Sequence, residues 1–363
     1  MPTVEALLAG PRGRRLCWTL LWLGLDDAAR RSAAWPLAWE AVVRSGDLSR
    51  RLEEFTVVLG LADPAALAGE EATVSEALGW TVNTAQYWGE PDAEDRALAA
   101  PAAVRAALRP IAGAILASPA ARWWAAPADL ERQRYAQFLD HRPFDEPLLS
   151  GAADRVAAWR ADTVRKEESL RATDAAAPLG AWSGEWWSDP AMSGLPITTR
   201  ARPGLGAARL ALVEDGLGWK SARCWPLRPR AGARVYEVDG PAAWAALVAR
   251  YPLDLTMSRR HDWWRATGRA GRWLIPDYQA VAADYDAVHL TVLGYLTTAG
   301  VALPAGSADR DDPDGDDPDG EARTLLAGWD PDATWWLTDC LTPAGPPEDW
   351  AADGEGAGWH PAG

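Results

Sequence analysis

Residues 258–265 read SRRHDWWR and set a histidine, an aspartate, three arginines and two tryptophans side by side. His261 beside Asp262 has the residue types of an oriented general base. Immediate neighbours in a chain seldom face each other, however, and no serine or cysteine nucleophile is identifiable near them. The arginines suggest a different chemistry. Arg259, Arg260, Arg265, Arg269 and Arg272 form the densest basic stretch of the chain, and guanidinium forks grip carboxylates and phosphates bidentately. The candidate ligand-binding set is therefore Arg259, Arg260, His261, Trp263, Trp264 and Arg265, facing an anionic ligand or a phosphate-bearing cofactor. A solvated loop paired with neighbouring acids is the stronger competing expectation.

Other chemistry is sparse. His141, His261, His289 and His360 are too dispersed for a metal motif, and HExxH, GxSxG and GxxxxGK[ST] are all absent. DDPDGDDPDG at 311–320 invites a calcium reading, but no register puts acids at loop positions one, three and five with glutamate at twelve. That acidic, proline-broken segment (306–322) is expected to be a disordered loop. Tryptophan doublets recur at 123–124, 186–187, 263–264 and 335–336. Neighbouring side chains diverge in helices and strands, so one indole of each pair can enter the core while the other covers a groove or stacks on arginine.

The elements that must carry these residues follow from spacing. Apolar residues at three- and four-residue steps predict helices through most of residues 1–165, including 48–61, 101–117 and ADLERQRYAQFL at 128–139, with Pro110 kinking or dividing the second. Residues 166–180 read as a linker. Beyond it, RLALV at 209–213 and LGWKSARCWPL form an expected hairpin, and RVYEV at 234–238 a strand feeding a helix from Pro241. A helix from Asp277, a long alternating strand over 287–298 and a last strand at 334–338 complete a region spanning 181–345, before a flexible tail at 346–363. The expected fold class is α+β: a helical N-terminal domain followed by a domain with a mixed or antiparallel sheet.

Composition bounds the partners. The 363 residues carry a formal net charge of −15, which repels nucleic acid and anionic membranes at long range. Lys166 and Lys220 are the only lysines, so nearly all positive charge is arginine, and with 23 tryptophans available arginine over indole should recur. Codon bias of a GC-rich genome accounts for most of that composition. Cys17, Cys224 and Cys340 are widely separated and lack CxxC spacing, which suggests reduced thiols. LCWTLLWLGL at 16–25 is shorter than the roughly 20 residues a bilayer helix needs. Asp26 and Asp27 follow where a signal cleavage site would stand, so a buried first helix and a cytoplasmic protein are expected.

Two resemblances add to this reading. Arg234 before VYEV, Thr297 and Thr298 in GYLTTAG, and Asp330 and Asp332 before TWWL follow the order of the motifs of mono-ADP-ribosyltransferases, which the C-terminal half partly resembles. The resemblance implies NAD as cofactor, with Arg234 gripping it, Thr297 supporting the pocket and Asp332 stabilising an oxocarbenium-like transition state. This chain has aspartate where that family has its catalytic glutamate, and threonines where it has serines. YPLDLTMSRRHDWWRATGR, ADYDAVHLTVLGYLTTAG and LAGWDPDATWWLTD also resemble segments of an uncharacterised protein family of GC-rich bacteria, which implies no activity. The leading expectation is a non-enzymatic binding protein whose Trp- and Arg-rich surface takes a protein or a small anionic ligand. The alternative is an NAD-dependent transferase using Arg234, Thr297 and Asp332.

Overall fold

The computed structural model describes residues 3–24, 63–99, 102–140, 146–174, 176–214, 216, 218–305, 322–353 and 358–362. The expected helix at 48–61, His141 and the acidic stretch 306–321 lie outside them.

Among the described residues the chain begins with α1 (Val4–Ala9), α2 (Pro11–Gly24), α3 (Pro64–Gly69), α4 (Glu71–Asn83), α5 (Ala93–Ala99) and α6 (Ala102–Ala117). The buried first helix is found: Leu16, Cys17, Leu20 and Leu21 of α2 are almost wholly enclosed. In α6 the faces divide as the spacing requires, with Val104, Leu108, Ile111 and Ile115 buried. The helix runs through Pro110 rather than dividing there, because that residue sits on the exposed face.

A sheet of nine strands organises the rest. Its strands are β1 (Gln133–Phe138), β2 (Ile197–Arg200), β3 (Ser221–Pro229), β4 (Val235–Val238), β7 (Ala287–Leu290), β10 (Thr334–Trp336), β11 (Leu341–Pro343), β12 (Glu348–Ala352) and β13 (Trp359–Pro361). They lie in the order β13-β12-β3-β1-β2-β10-β7-β4, with β11 also on β3. All pairings are antiparallel except β4 with β7. Short pairs of β5 (Pro252–Asp254) with β6 (Leu274–Pro276) and β8 (Leu303–Pro304) with β9 (Arg323–Thr324) flank it. The C-terminal helices are α7 (Ala152–Thr173), α8 (Pro241–Arg250), α9 (Thr256–Thr267), α10 (Tyr278–Asp284) and α11 (Val292–Thr298). The fold class is α+β, with a mixed sheet.

One apolar cluster joins Leu16 and Leu20 of α2 and Ile111 of α6 to Trp244 of α8, Val288 and Leu290 of β7, and Leu296 of α11. Helices therefore cover one sheet face. The other carries a smaller cluster around Ala287, Trp336 and Leu227.

Several segments depart from their sequence patterns. Residues 133–138, expected to be helical, are instead β1, held between β2 and β3, where ladder pairing on both sides overrides helix propensity. Residues 166–173, expected in a linker, complete the 22-residue helix α7, because Glu167 on its inner face is buried against α9. The expected strand at 209–213 is replaced by a 3-10 turn at Ala208–Leu210, and β3 pairs with β1 instead. The alternating run 287–298 is a strand only to Leu290. Thr291 then caps α11, its hydroxyl accepting from Gly294 N at 2.9 Å. The expected tail contributes β12 and β13, anchored by the buried Trp350. Ala322, at the end of the expected disordered loop, is buried and accepts from Ala305 N.

Among the described residues no helix is long and apolar enough to cross a membrane.

Candidate functional site

SRRHDWWR forms most of α9, and its polar groups face inward. Arg259 is buried, donating from Nε to Trp187 O at 3.0 Å and facing Glu185 at 3.6 Å. Arg260 donates to Ala177 O, and His261 Nε2 lies 2.6 Å from Asp174 Oδ2. Asp262 is fully buried, accepting from Ser183 Oγ and from Arg265. The Trp263 indole is also fully buried, edge-on to Trp273 and donating to Trp186 O at 2.8 Å. Trp264 is half-buried and packs on Gly180, where a Cβ would come within 3.1 Å of the indole. Arg265 also donates to Trp88 O.

These contacts correct the expected ligand-binding set of Arg259, Arg260, His261, Trp263, Trp264 and Arg265. The set and Asp262 tie Asp174, Ala177, Ser183, Trp186 and Trp187 to α9, with Trp263 enclosed and Trp264 half-buried. Acids and carbonyls of the chain already take up the cationic groups, as the competing expectation has it, but within a largely buried helix rather than a solvated loop.

Three of the tryptophan doublets divide between faces, whereas the rings of Trp186 and Trp187, both half-buried, stack on each other at 4.9 Å. Trp335 packs with the helix-covered cluster, and Trp336 lies on the opposite sheet face. Trp124 is buried, while Trp123 carries Arg200 and Arg202 over its ring at 5.1 and 4.3 Å.

Arg234, Thr297 and Asp332 do not converge. Arg234 is exposed at the start of β4, with its backbone N–H donating to Asp286. Asp332 N donates to Leu290 O, at the far end of β7, which runs parallel to β4. Four strand residues, about 13 Å, separate the two levels. Thr297 lies in the helical layer on α11, its hydroxyl donating to Leu293 O at 2.8 Å. The constellation implied by the ADP-ribosyltransferase resemblance is absent, since strand parity and strand direction send its members apart.

Asp332 belongs to a different group. It adopts a left-handed conformation at φ 64°, is buried, and accepts from both the backbone N–H and Nε of Arg200, at 2.8 and 2.6 Å. Glu237, His289, Thr334 and Thr198 stand directly opposite one another on β4, β7, β10 and β2, so they share one sheet face. The fully buried His289 ring lies between two carboxylates, with Nδ1 3.8 Å from Glu237 and Nε2 3.6 Å from Asp332. Neither nitrogen makes a hydrogen bond. Burial, reinforced by Arg200, lowers the His289 pKa to about 3. Burial raises Glu237 to about 7 and Asp332 to about 6, Arg200 opposing the latter shift. The two ring nitrogens face different carboxylates, so these three side chains do not converge on one metal position. Among the described residues no group of three His, Cys, Asp or Glu side chains does.

The site with access lies elsewhere. A cavity of about 340 Å³ opens where the first turn of α2, the segment from Thr84 to α5, the C-terminal end of α9 and residues 300–302 meet. Arg12, Arg14, Arg96 and Arg269 line it, with Asp92 and Asp95. Both aspartates already have partners: Asp95 pairs with Arg12, and Arg15 reaches Asp92 at 2.9 Å and Asp95 at 3.3 Å. Burial opposes the Arg12 charge, but Tyr87 and Asp95 more than offset it and its pKa is raised.

Arg14 differs. It is buried and has no carboxylate partner among the described residues, donating only to Leu8 O at 2.9 Å and Ala9 O at 2.7 Å. Burial and the nearby Arg105 lower its pKa to about 10. Arg96 and Arg269 are exposed at the rim; the Arg96 guanidinium donates to Pro91 O, and the backbone N–H of Arg269 donates to Thr267 Oγ1. Gly300, at φ 76°, lets the Tyr87 ring pack directly on the wall, since a Cβ there would lie 2.6 Å from that ring.

Arg269 is the one member of this cavity that the sequence pattern grouped with ligand binding. Arg12 and Arg14 stand out only as charges within an apolar first helix, which is itself a signal that each needs a partner on folding. Glu237 and Arg200 carry no such mark.

No protein-family model, curated protein or solved structure matches the chain.

Proposed function

We propose that this protein binds a small anionic ligand, a phosphate or polycarboxylate, in the arginine-lined cavity between its N-terminal helices and the end of α9. The observation that carries the reading is Arg14: a buried guanidinium, bordering an open cavity, whose only acceptors among the described residues are two peptide carbonyls. Arg12, Arg14, Arg96 and Arg269 outnumber Asp92 and Asp95, whose charges Arg12 and Arg15 already balance. An excess of positive charge here, in a chain of net charge −15, favours an anion at this place. Guanidinium groups in a partly desolvated pocket also suit planar or tetrahedral oxyanions. A binding role agrees with the leading expectation from sequence, with the anion placed beyond the end of α9 rather than on its buried face.

The test is calorimetric titration with inorganic pyrophosphate and with citrate, which separate phosphate from carboxylate recognition. At least one should bind, more weakly as salt rises, and Arg96→Glu/Arg269→Glu should lose tenfold or more in affinity without changing the melting temperature. Failure of both anions to bind, or binding indifferent to the double variant, would refute the reading.

A further inference from the structure

A second depression, of about 500 Å³, lies between α4 and the ends of β1, β12 and β13. Its chemistry is the reverse of the arginine cavity. Trp80, Phe138, Trp219 and Trp359 line it, and Glu76 is the sole charged residue of its walls among the described residues. The Phe138 and Trp219 rings stack at 4.2 Å and 10°, so Phe138 supports Trp219 from behind. Trp359 tilts against Phe138 at 6.0 Å. Trp80, 42% exposed, stands on the facing wall.

That wall is one face of α4. Ser75, Glu76, Trp80 and Asn83 recur along it at helical spacing, all exposed. The side chains of Ser75 and Glu76 have no partner among the described residues. Glycines let the two walls approach closely: a Cβ on Gly216 would lie 2.8 Å from Asn83 Oδ1, and one on Gly79 3.2 Å from Ala211 O.

We infer that this groove is a binding site for a neutral oligosaccharide. Indole faces accept the apolar C–H face of a pyranose, and the ring's hydroxyls need acceptors beside that platform. Glu76 is an acceptor only, while Ser75 and Asn83 can both donate and accept. Among the described lining residues none is cationic, and Arg209, over the Phe138 ring at 5.6 Å, is already paired with Asp330, which favours a neutral ligand over an anionic one. A proline-rich peptide, the other usual occupant of an aromatic groove, offers few donors to Glu76. The inference is independent of the arginine cavity, with which the groove shares no lining residue.

The experiment is saturation-transfer NMR and calorimetry on the full chain with maltotriose, cellotriose and chitotriose, with a decaproline peptide in parallel. At least one saccharide should bind. Trp80→Ala should weaken it tenfold or more with an unchanged melting temperature, because that indole is largely exposed, and Glu76→Gln should weaken it several-fold. Binding of none of the three sugars overturns the inference, as does sugar binding that both variants leave intact. Trp80-dependent capture of decaproline without sugar binding overturns it in favour of a peptide groove.

Discussion

Glu167 receives the backbone N–H groups of Met257 and Ser258 on its two carboxylate oxygens, at 2.7 and 2.8 Å. A side chain 90 residues away thus caps the helix that carries SRRHDWWR, whose own N-cap residue, Leu255, offers no side-chain bond. Removing a cap of this kind costs about 1–2 kcal/mol, and burial adds to the penalty of leaving amides unpaired. Glu167→Ala should lower stability by about 2 kcal/mol in urea denaturation, and Glu167→Gln by less. Glu168→Ala, at an exposed neighbour, should stay within about 0.5 kcal/mol of wild type. Equal effects at 167 and 168 would refute the capping role.

The architectural role of the motif makes a second contrast. Trp263 is wholly enclosed, and its replacement by alanine should cost about 3–5 kcal/mol. Trp263→Phe keeps the ring contact with Trp273 and loses the bond to Trp186 O, so it should cost less. Thermal and chemical denaturation measure both. A Trp263→Ala variant as stable as wild type would show that the indole is not part of the core.

Arg200 and Asp332 form a buried ion pair across β2 and the loop before β10. Breaking such a pair from one side strands the other charge, at a cost of about 3–5 kcal/mol. Arg200→Met should show that loss, and Asp332→Asn a smaller one, since asparagine tolerates the left-handed backbone at this position. The double variant should be more stable than the sum of the single losses predicts. Additive losses in a double-mutant cycle would mean that the two side chains do not interact.

The row around His289 predicts opposing pH dependences. Asp332 and Glu237 hold their protons more tightly in the fold, with pKa values raised from 3.8 to about 6 and from 4.5 to about 7. Their contribution is therefore full below the unfolded values and lost as the pH rises through the folded ones. His289, lowered from 6.5 to about 3, stays neutral in the fold while the unfolded chain takes up a proton, so its contribution is lost as the pH falls below 6.5.

Each proton is worth about 1.4 kcal/mol per pH unit. Between pH 4.5 and 6, His289→Gln should lose stability relative to wild type at close to that slope as the pH rises. Glu237→Gln should gain at a similar slope. Parallel curves for wild type and both variants in pH-dependent denaturation would contradict the burial of this row.

Much of the fold follows from short-range pattern. The faces of α2 and α6, the proline-started α8, the capped α10 and the strands at 235–238 and 334–336 all have local signals, because helix periodicity and capping involve residues within a few positions of each other. The division of three tryptophan doublets was legible for the same reason, while Trp186 and Trp187, outside any helix or strand, stack on each other. Signals were available for two departures: Thr291 three residues before Gly294 marks a helix start inside the alternating run, and Trp350 in an expected tail is a large apolar residue in need of a partner.

What the sequence determined by itself was the class, α+β, the buried first helix and the presence of unusual arginine and tryptophan content. Tertiary structure alone decided which of those side chains are accessible. Arg259 and Trp263 fit a binding surface by residue type and are buried by Glu185, Trp186 and Trp187, while Arg14, from the apolar first helix, reaches a cavity whose walls come from four distant segments. His289 gains its two carboxylates from β4 and from the loop before β10 in the same way. Local spacing fixes which way a side chain points on its own element, but burial and charge pairing depend on which other elements that direction meets, and those contacts form only when residues tens to hundreds of positions apart pack together.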